Sequence, residues 1–206
     1  MGSIPTPGTT PAPEAGLKFC SECAHPFEVR IPPGDALPRH VCTACGTIHY
    51  QNPKLILGCV PEHEGRLVLC RRAIEPRLGF WTFPAGFMEN GETLQQAAAR
   101  ECREEANAEV QVGSLLSVVH VLHAHQVHVN FRATLADPAF GVGTESLESA
   151  LVRPEDIPWD RLAFPSVEFT LRHWLQDRAR GVEDYHYTTF DFRGRRPPSP
   201  LPAVAK

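Results

Sequence analysis

The sequence lacks any apolar run of the ~18 residues that a membrane-spanning helix requires. It also lacks an excess of positive charge, because 20 lysines and arginines are outnumbered by 24 aspartates and glutamates and the net charge is −4. The first absence predicts a protein without a membrane partner. The second argues against a nucleic acid as partner, although it leaves room for a local basic patch.

Targeting signals are also missing from the N-terminal segment. Residues 1–16 contain neither the lysine or arginine nor the apolar stretch of a secretory signal, and a transit peptide would be rich in arginine. The cytoplasm is therefore the expected location. The abundance of proline, threonine and small residues predicts a disordered leader over 1–16, and the proline-rich residues 193–206 predict a disordered tail.

The seven cysteines are an odd number, which argues against a closed disulfide framework. Four of them form two CxxC pairs, Cys20 with Cys23 and Cys42 with Cys45, on either side of a turn-rich segment. Four thiolates at this spacing can surround one Zn²⁺, and the segment has too few apolar residues to fold without a metal. The sequence therefore predicts a small zinc ribbon over residues 17–50, with these four cysteines as ligands.

The remaining cysteines and the nearby histidines have simpler interpretations. Three cysteines occur in apolar segments and are interpreted as buried thiols: Cys59, Cys70 and Cys102. Three histidines close to the CxxC pairs are interpreted as surface or outer-shell residues: His25, His40 and His49. Four cysteines leave no vacancy for a histidine on a tetrahedral ion.

From residue 51 the pattern changes to alternating strands with two amphipathic helices. The predicted strands cover 54–60, 66–71, 80–87, 111–121, 126–135, 150–153 and 185–192. Pro84 breaks the third of these, which is therefore expected to be irregular or at an edge of the sheet. The predicted helices cover 94–106 and 165–178. Strands with two helices on a mixed sheet predict an α/β sandwich over residues 51–192.

The first helix carries the most informative pattern. A capping box at Thr93 and Gln96 starts it, and Asn107 follows its last residue as a C-cap. At 100° per residue one face contains Leu94, Ala97, Ala98, Glu101, Glu104 and Glu105, with Cys102 at its edge. Three carboxylates on a core-facing stripe would repel one another, and a hard cation such as Mg²⁺ or Mn²⁺ would remove that cost. The alternative is a solvated acidic face paired with Arg100 and Arg103.

The segment Gly86-x5-Glu92-x7-Arg100-Glu101-Cys102-x-Glu104-Glu105-x-Asn107-Ala108 resembles the Nudix box, GX5EX7REUXEEXGU, in which U is a bulky apolar residue. Asn107 replaces the last glycine, and Cys102 and Ala108 are small for U positions. The resemblance implies an α/β/α sandwich with a mixed sheet. It also implies Mg²⁺ or Mn²⁺ ligands at Glu101, Glu104, Glu105 and the backbone carbonyl of Ala85, with Glu92 and Arg100 orienting the cluster.

Phrases such as Cys45–Lys54 and Cys70–Pro76 resemble zinc-ribbon Nudix proteins related to ADP-ribose and FAD pyrophosphatases. The implied reaction is metal-dependent cleavage of the diphosphate linkage of a small nucleotide, with release of AMP. Expected substrate contacts are Arg71, Arg72, Phe87, Glu145 and Glu148. Glu104, Glu105, Glu145 and Glu148 are candidates for the general base.

Other readings of the sequence stay open. One is an NADH pyrophosphatase, although the SQPWPFPxS segment typical of that group does not follow the box. Another is a non-catalytic nucleotide or nucleic-acid binding module that uses the ribbon. The ribbon could equally form a homodimer contact or a wall of the substrate pocket. Histidines that alternate between sheet faces fit substrate contacts or exposed strand ends better than one metal site: His120, His123, His125 and His128.

Overall fold

The computed structural model describes residues 17–135 and 137–192, so the predicted leader and tail lie outside the described residues. The chain divides into two compact units between Asn52 and Pro53, close to the predicted boundary. Within the described ranges, no helix is long and apolar enough to cross a membrane.

The first unit is a three-stranded antiparallel sheet in the order β1-β2-β3. Its strands are β1 (Phe27–Arg30), β2 (Arg39–Cys42) and β3 (Ile48–His49). The buried hydrophobic residues of the described part of this unit are Val41, Cys20 and Cys42. So small a core fits the prediction that this unit needs a metal to fold.

The second unit is built on a mixed sheet with the strand order β10-β5-β4-β9-β8-β11. Its strands are β4 (Lys54–His63), β5 (Arg66–Arg72), β6 (Trp81–Thr82), β7 (Ala85–Phe87), β8 (Val110–Val121), β9 (Gln126–Leu135), β10 (Ser146–Val152) and β11 (His186–Phe190). Two pairs are parallel, β4 with β9 and β8 with β11. The short strands β6 and β7 pair with β5 and β4.

One helix covers each face of this sheet: α1 (Leu94–Ala106) and α2 (Pro165–Arg180). The alternation of side chains along β9 assigns its residues to the two faces. Phe131 belongs to the core beneath α1, where Ala98 and Cys102 are fully buried. Asn130 points to the other face and donates to Thr170 of α2 at 3.3 Å. The predicted α/β sandwich is confirmed.

Most predicted elements agree with the structure to within a few residues, and the main exception is β10. It begins at Ser146, four residues before the predicted start, because it pairs with β5 through an irregular register between Ser146 and Glu148. The irregularity removes the alternation of polar and apolar residues on which the prediction relied. Glu148, which lies outside the predicted strand, is therefore a strand residue. The last strand is also shorter than predicted.

Candidate active site and metal centre

Local sequence signals fix both ends of α1. The Thr93 hydroxyl accepts from the Gln96 backbone N–H at 3.2 Å, and the Gln96 side chain accepts from the Thr93 N–H at 2.8 Å. Asn107 closes the helix in the left-handed conformation with φ 47°. The helix therefore has the predicted bounds, which set the phase of its glutamates.

The three glutamates of α1 are not equally buried. Glu101 and Glu105 are 7% and 6% exposed, whereas the Glu104 side chain is 56% exposed. The prediction that all three glutamates lie on the buried face of α1 was thus wrong for Glu104. Cys102, predicted at the edge of that face, lies at its centre. The middle of the buried face of α1 is formed by Ala98, Cys102 and Glu105. Glu104 lies to one side of this face and lines the cavity described below.

Arg100 connects the carboxylates. Its guanidinium donates to both oxygens of Glu92 at 3.1 and 2.8 Å, to Glu101 Oε1 at 2.6 Å and to Glu104 Oε2 at 3.0 Å. A fifth bond reaches the Phe87 carbonyl at 2.9 Å. These bonds lower the pKa of Glu92 and raise that of Arg100. Arg100 therefore stays charged and fixes the loop before α1 to the helix.

Glu105 is the most isolated of the buried carboxylates. It accepts from the Ala85 backbone N–H at 3.2 Å, and burial raises its pKa to about 8. Burial also raises the pKa of Glu101. Burial therefore disfavours the ionised form of both carboxyl groups. A bound cation would stabilise that ionised form.

Gly86 allows the helix and the preceding loop to approach closely. A Cβ atom at this position would lie 2.4 Å from both carboxylate oxygens of Glu101. A glycine is therefore required at position 86 because a side chain would collide with the Glu101 carboxylate, and not because of an unusual φ angle.

A loop caps the C-terminal end of α1 and brings Glu145 to the site. The Gly143 N–H donates to the Glu105 carbonyl at 3.0 Å, and the Asn107 amide donates to the Val142 carbonyl at 2.9 Å. A Cβ on Gly143 would lie 1.7 Å from the Glu104 carbonyl oxygen. Only glycine permits this contact, which places Glu145 at the same cavity as Glu104.

The glutamates open into a cavity of about 750 Å³. The sequence-predicted residues that line it are Arg72, Ala85, Phe87, Arg100, Glu101, Glu104, Glu105 and Glu145. Glu92 stands behind Arg100. Arg71 and Glu148 do not line the cavity, so the function proposed below uses the other predicted substrate contacts, Arg72, Phe87 and Glu145. Arg71 follows the opposite face of β5 from Arg72, and it pairs with Glu148 across the β5–β10 ladder at 3.4 Å.

The sequence does not show that several other residues line the same cavity. They come from the turn after β8, from β9, from the N-cap of α2 and from the end of β11 and the residues just after it: His123, His128, Asn130, Phe164, Phe190 and Phe192. Burial lowers the pKa of His128 to about 4, so its imidazole is neutral near pH 7. The histidine run offered a signal, but the phenylalanines lie in unrelated segments that only the fold brings together.

The donor set of this cavity fits a hard divalent cation. Glu101, Glu104 and Glu105 supply carboxylate oxygens, and the cavity leaves room for water and phosphate. Arg100 holds Glu101 and Glu104, while the Ala85 N–H holds Glu105.

The four predicted cysteine ligands come together in the first unit. Their sulfur atoms lie within 4.8 Å of one another, with Cys23 and Cys42 at 3.3 Å and Cys20 and Cys45 at 3.7 Å. Hydrogen bonds from Thr47 lower the pKa of the Cys45 thiol to about 6. Four sulfurs at ~2.3 Å from one ion have this kind of spacing.

Two of the nearby histidines are less exposed than a surface position implies. His49 Nε2 lies 3.4 Å from Cys20 Sγ, which agrees with an outer-shell role. His40 is 6% exposed, so it is a buried residue of the small core, with its ring against that of Phe27. The buried thiols of the second unit are as predicted, and Cys59 and Cys102 touch at 3.1 Å between their sulfurs.

Comparison with known proteins agrees with this geometry. The family model described as "Nudix N-terminal", a zinc-ribbon model, matches residues 18–51, and the "NUDIX domain" model matches residues 54–175. A crystal structure of a Nudix hydrolase from Nitrosomonas europaea is 49% identical, with a TM-score of 0.82. The match covers 84% of this chain and 99% of that one.

Two curated relatives show more local similarity. The "NAD-capped RNA hydrolase NudC" of Chromobacterium violaceum is 35% identical over 96 residues, which cover 46% of this chain and 34% of that protein. The "ADP-ribose pyrophosphatase" of Methanocaldococcus jannaschii is 35% identical over 69 residues, which cover 34% of this chain and 41% of that protein. The chain thus spans less than half of the length of these curated relatives. With the Nudix domain matched across most of the second unit, the chain belongs to the Nudix family.

Proposed function

We propose that this chain is a metal-dependent pyrophosphohydrolase. It cleaves the diphosphate linkage of a nucleoside diphosphate derivative such as ADP-ribose or FAD and releases AMP. The observation that carries the proposal is the pair of buried carboxylates, Glu101 and Glu105, beside the exposed Glu104 in a cavity of about 750 Å³. A non-catalytic binding module would not need three neighbouring carboxylates that repel one another, because burying them without a metal costs free energy.

We propose Mg²⁺ or Mn²⁺ at this site, held by Glu101, Glu104, Glu105 and the Ala85 carbonyl. Such a cation would neutralise the diphosphate oxygens and lower the pKa of a bound water. Arg100 orients Glu101 and Glu104 through bonds of 2.6 and 3.0 Å. Glu92 keeps Arg100 in place.

The exposed carboxylates supply the candidates for the general base. Glu104 and Glu145 both face the cavity, and either can accept the proton of an attacking water at a carboxylate oxygen. Arg72 also lines the cavity and donates through Nε to the Pro76 carbonyl at 2.9 Å. We propose that its remaining N–H groups contact the diphosphate, and that Phe87 contacts the substrate.

The decisive measurement is AMP release from ADP-ribose, FAD and NADH with Mg²⁺ or Mn²⁺. Glu104→Gln and Glu105→Gln should each reduce the rate by at least ~100-fold, because each removes a charge that holds the metal or accepts a proton. Glu109→Gln is the matched control, since its side chain is 69% exposed beyond the end of α1. Equal rates in all three variants, or no hydrolysis by metal-loaded wild type, would refute the proposal.

A second candidate is hydrolysis of a nicotinamide dinucleotide. The name of the Chromobacterium relative, "NAD-capped RNA hydrolase NudC", favours it, whereas that of the Methanocaldococcus relative favours ADP-ribose. Adding NAD-capped RNA to the panel separates the two. Preference for ADP-ribose by a factor of ten or more in kcat/KM would reject the nicotinamide alternative.

We propose Zn²⁺ as the ion of the four cysteines, in a structural role. All four positions of a tetrahedral ion are taken by Cys20, Cys23, Cys42 and Cys45, which leaves none for a substrate or water. A cytoplasmic location and a homodimer remain predictions from the sequence.

A further inference from the structure

The cavity has an aromatic wall that bond cleavage itself does not use. Phe190 ends β11 and Phe192 follows it, and both line the cavity with His123 from the turn between β8 and β9. The Phe190 and Phe192 rings stack at 5.5 Å and 19°. The His123 ring lies 5.3 Å from that of Phe192, and its Nδ1 accepts from the Phe192 N–H at 3.4 Å.

Other rings hold the aromatic wall in position. Phe190 meets Phe169 edge-on at 6.2 Å and 89°, and Phe169 contacts His173 at 4.2 Å. Both of these residues belong to α2, so the wall is fastened to a helix that packs on the sheet. A pre-positioned surface of this kind loses little conformational entropy when a ligand binds.

The composition of the cavity beside the wall indicates what it can hold. Gln126 and His128, from β9, line the same cavity, and their side chains are 3.1 Å apart. They offer hydrogen-bonding groups without a formal charge near pH 7, since burial keeps the pKa of His128 low. The two phenylalanine rings of the wall offer flat apolar surface. A flat heteroaromatic ring uses both, because its face stacks and its edge hydrogen-bonds. A sugar placed there would lose hydrogen bonds from its hydroxyls to the rings.

We propose that His123, Phe190 and Phe192 form the subsite that binds the nucleobase of the substrate by stacking. The proposal rests on the proposed hydrolase function, since it assigns one end of that substrate. It makes Phe192 a specificity-determining residue rather than a catalytic one, because it contacts the base and not the reacting phosphates.

The kinetic test compares ring and non-ring residues of similar volume at position 192. Phe192→Leu should raise KM for ADP-ribose about tenfold with a much smaller change in kcat, whereas Phe192→Tyr should keep the wild-type KM. Tyr187→Leu is the matched control, because Tyr187 belongs to β11 but is 64% exposed and does not line the cavity. An unchanged KM in Phe192→Leu would overturn the proposal.

A binding test separates this proposal from the hydrolase function. Calorimetry on metal-loaded protein compares AMP with ribose 5-phosphate, which differ by the base. Wild type should bind AMP about tenfold more tightly, and Phe192→Leu should lose that preference. If wild type binds both equally, or if Phe192→Leu keeps the preference, the subsite is wrong. Absence of turnover in wild type would instead refute the hydrolase function, and the binding comparison still reports on the subsite.

Discussion

Single glycines decide how closely the loops of this site approach helix α1. Gly86 has no side chain where the Glu101 carboxylate lies, and Gly143 has none where the Glu104 carbonyl lies. Neither residue takes part in the chemistry. Each permits a distance that any other amino acid would increase, so both are part of the site in a geometric sense.

Gly86→Ala tests this at the residue scale. The added Cβ would lie 2.4 Å from the Glu101 oxygens, so the carboxylate must move, and metal affinity and kcat/KM should each fall by at least ~10-fold. Titration of activity with Mn²⁺ measures the first effect. Gly113→Ala is the control, because the nearest atom to its Cβ would be the Arg132 carbonyl oxygen at 3.4 Å, an ordinary contact. An equal loss in both variants would show that the effect is general rather than local.

The residue scale is also where prediction from sequence succeeded best. The capping box at Thr93 and the C-cap at Asn107 are local signals, so α1 and its glutamates could be placed without knowledge of the rest of the fold. Burial of Glu101 and Glu105 followed from helical spacing. The exposure of Glu104 did not, because it depends on where the cavity opens and not on the helix alone.

At the scale of elements, β11 depends on a buried ionic contact. Asp177 of α2 is 1% exposed and accepts hydrogen bonds from Arg132 of β9 and, at 2.9 Å, from His186 of β11. One carboxylate thus joins a helix to two strands. The strand that carries Phe190 is held at its other end by this contact.

Asp177→Asn should destabilise the second unit by about 3 kcal/mol, because Arg132 would keep its charge without a carboxylate partner. Chemical denaturation followed by circular dichroism measures the change. The control is Asp184→Asn, since the Asp184 side chain is 54% exposed in its pair with Arg180. A loss of less than about 1 kcal/mol in Asp177→Asn would mean that the buried contact contributes little.

Elements were predictable where hydrophobic periodicity was regular and not where pairing was irregular. The bounds of β9 agree because its apolar residues alternate, whereas β10 was predicted too short because its pairing shifts between Ser146 and Glu148. The same strand contains Glu148, which does not line the cavity. The composition of the cavity lay beyond sequence reasoning, since His123, Phe164 and Phe190 become neighbours only through the fold.

At the scale of the whole molecule, the two units obtain their stability from different sources. The second unit buries apolar side chains on both faces of its sheet, including Leu57, Leu116 and Leu171. The first has four cysteines in place of such a core. Its folding free energy should therefore depend on the metal, and that of the second unit should not.

Removal of zinc should separate the two units experimentally. Metal analysis should find about one Zn²⁺ per chain, and Cys42→Ser should lose it. Amide signals of residues 17–52 should then collapse to unfolded positions in NMR spectra, while those of the second unit keep their dispersion. Cys70→Ser is the matched control, because this thiol is buried in the second unit and should leave the zinc content unchanged. Zinc-free protein with a folded first unit would contradict the assignment.

The aromatic wall and the glutamates come from separate stretches of the chain: Phe190 and Phe192 lie at the end of β11 and His123 in the turn after β8, whereas the glutamates lie on α1. If the proposed base subsite selects the substrate, the residues that select it and the glutamates proposed to hold the metal can vary independently. Exchange of the segment that contains Phe190 and Phe192 could then change the preferred substrate, while Glu101, Glu104 and Glu105 on α1 stay the same.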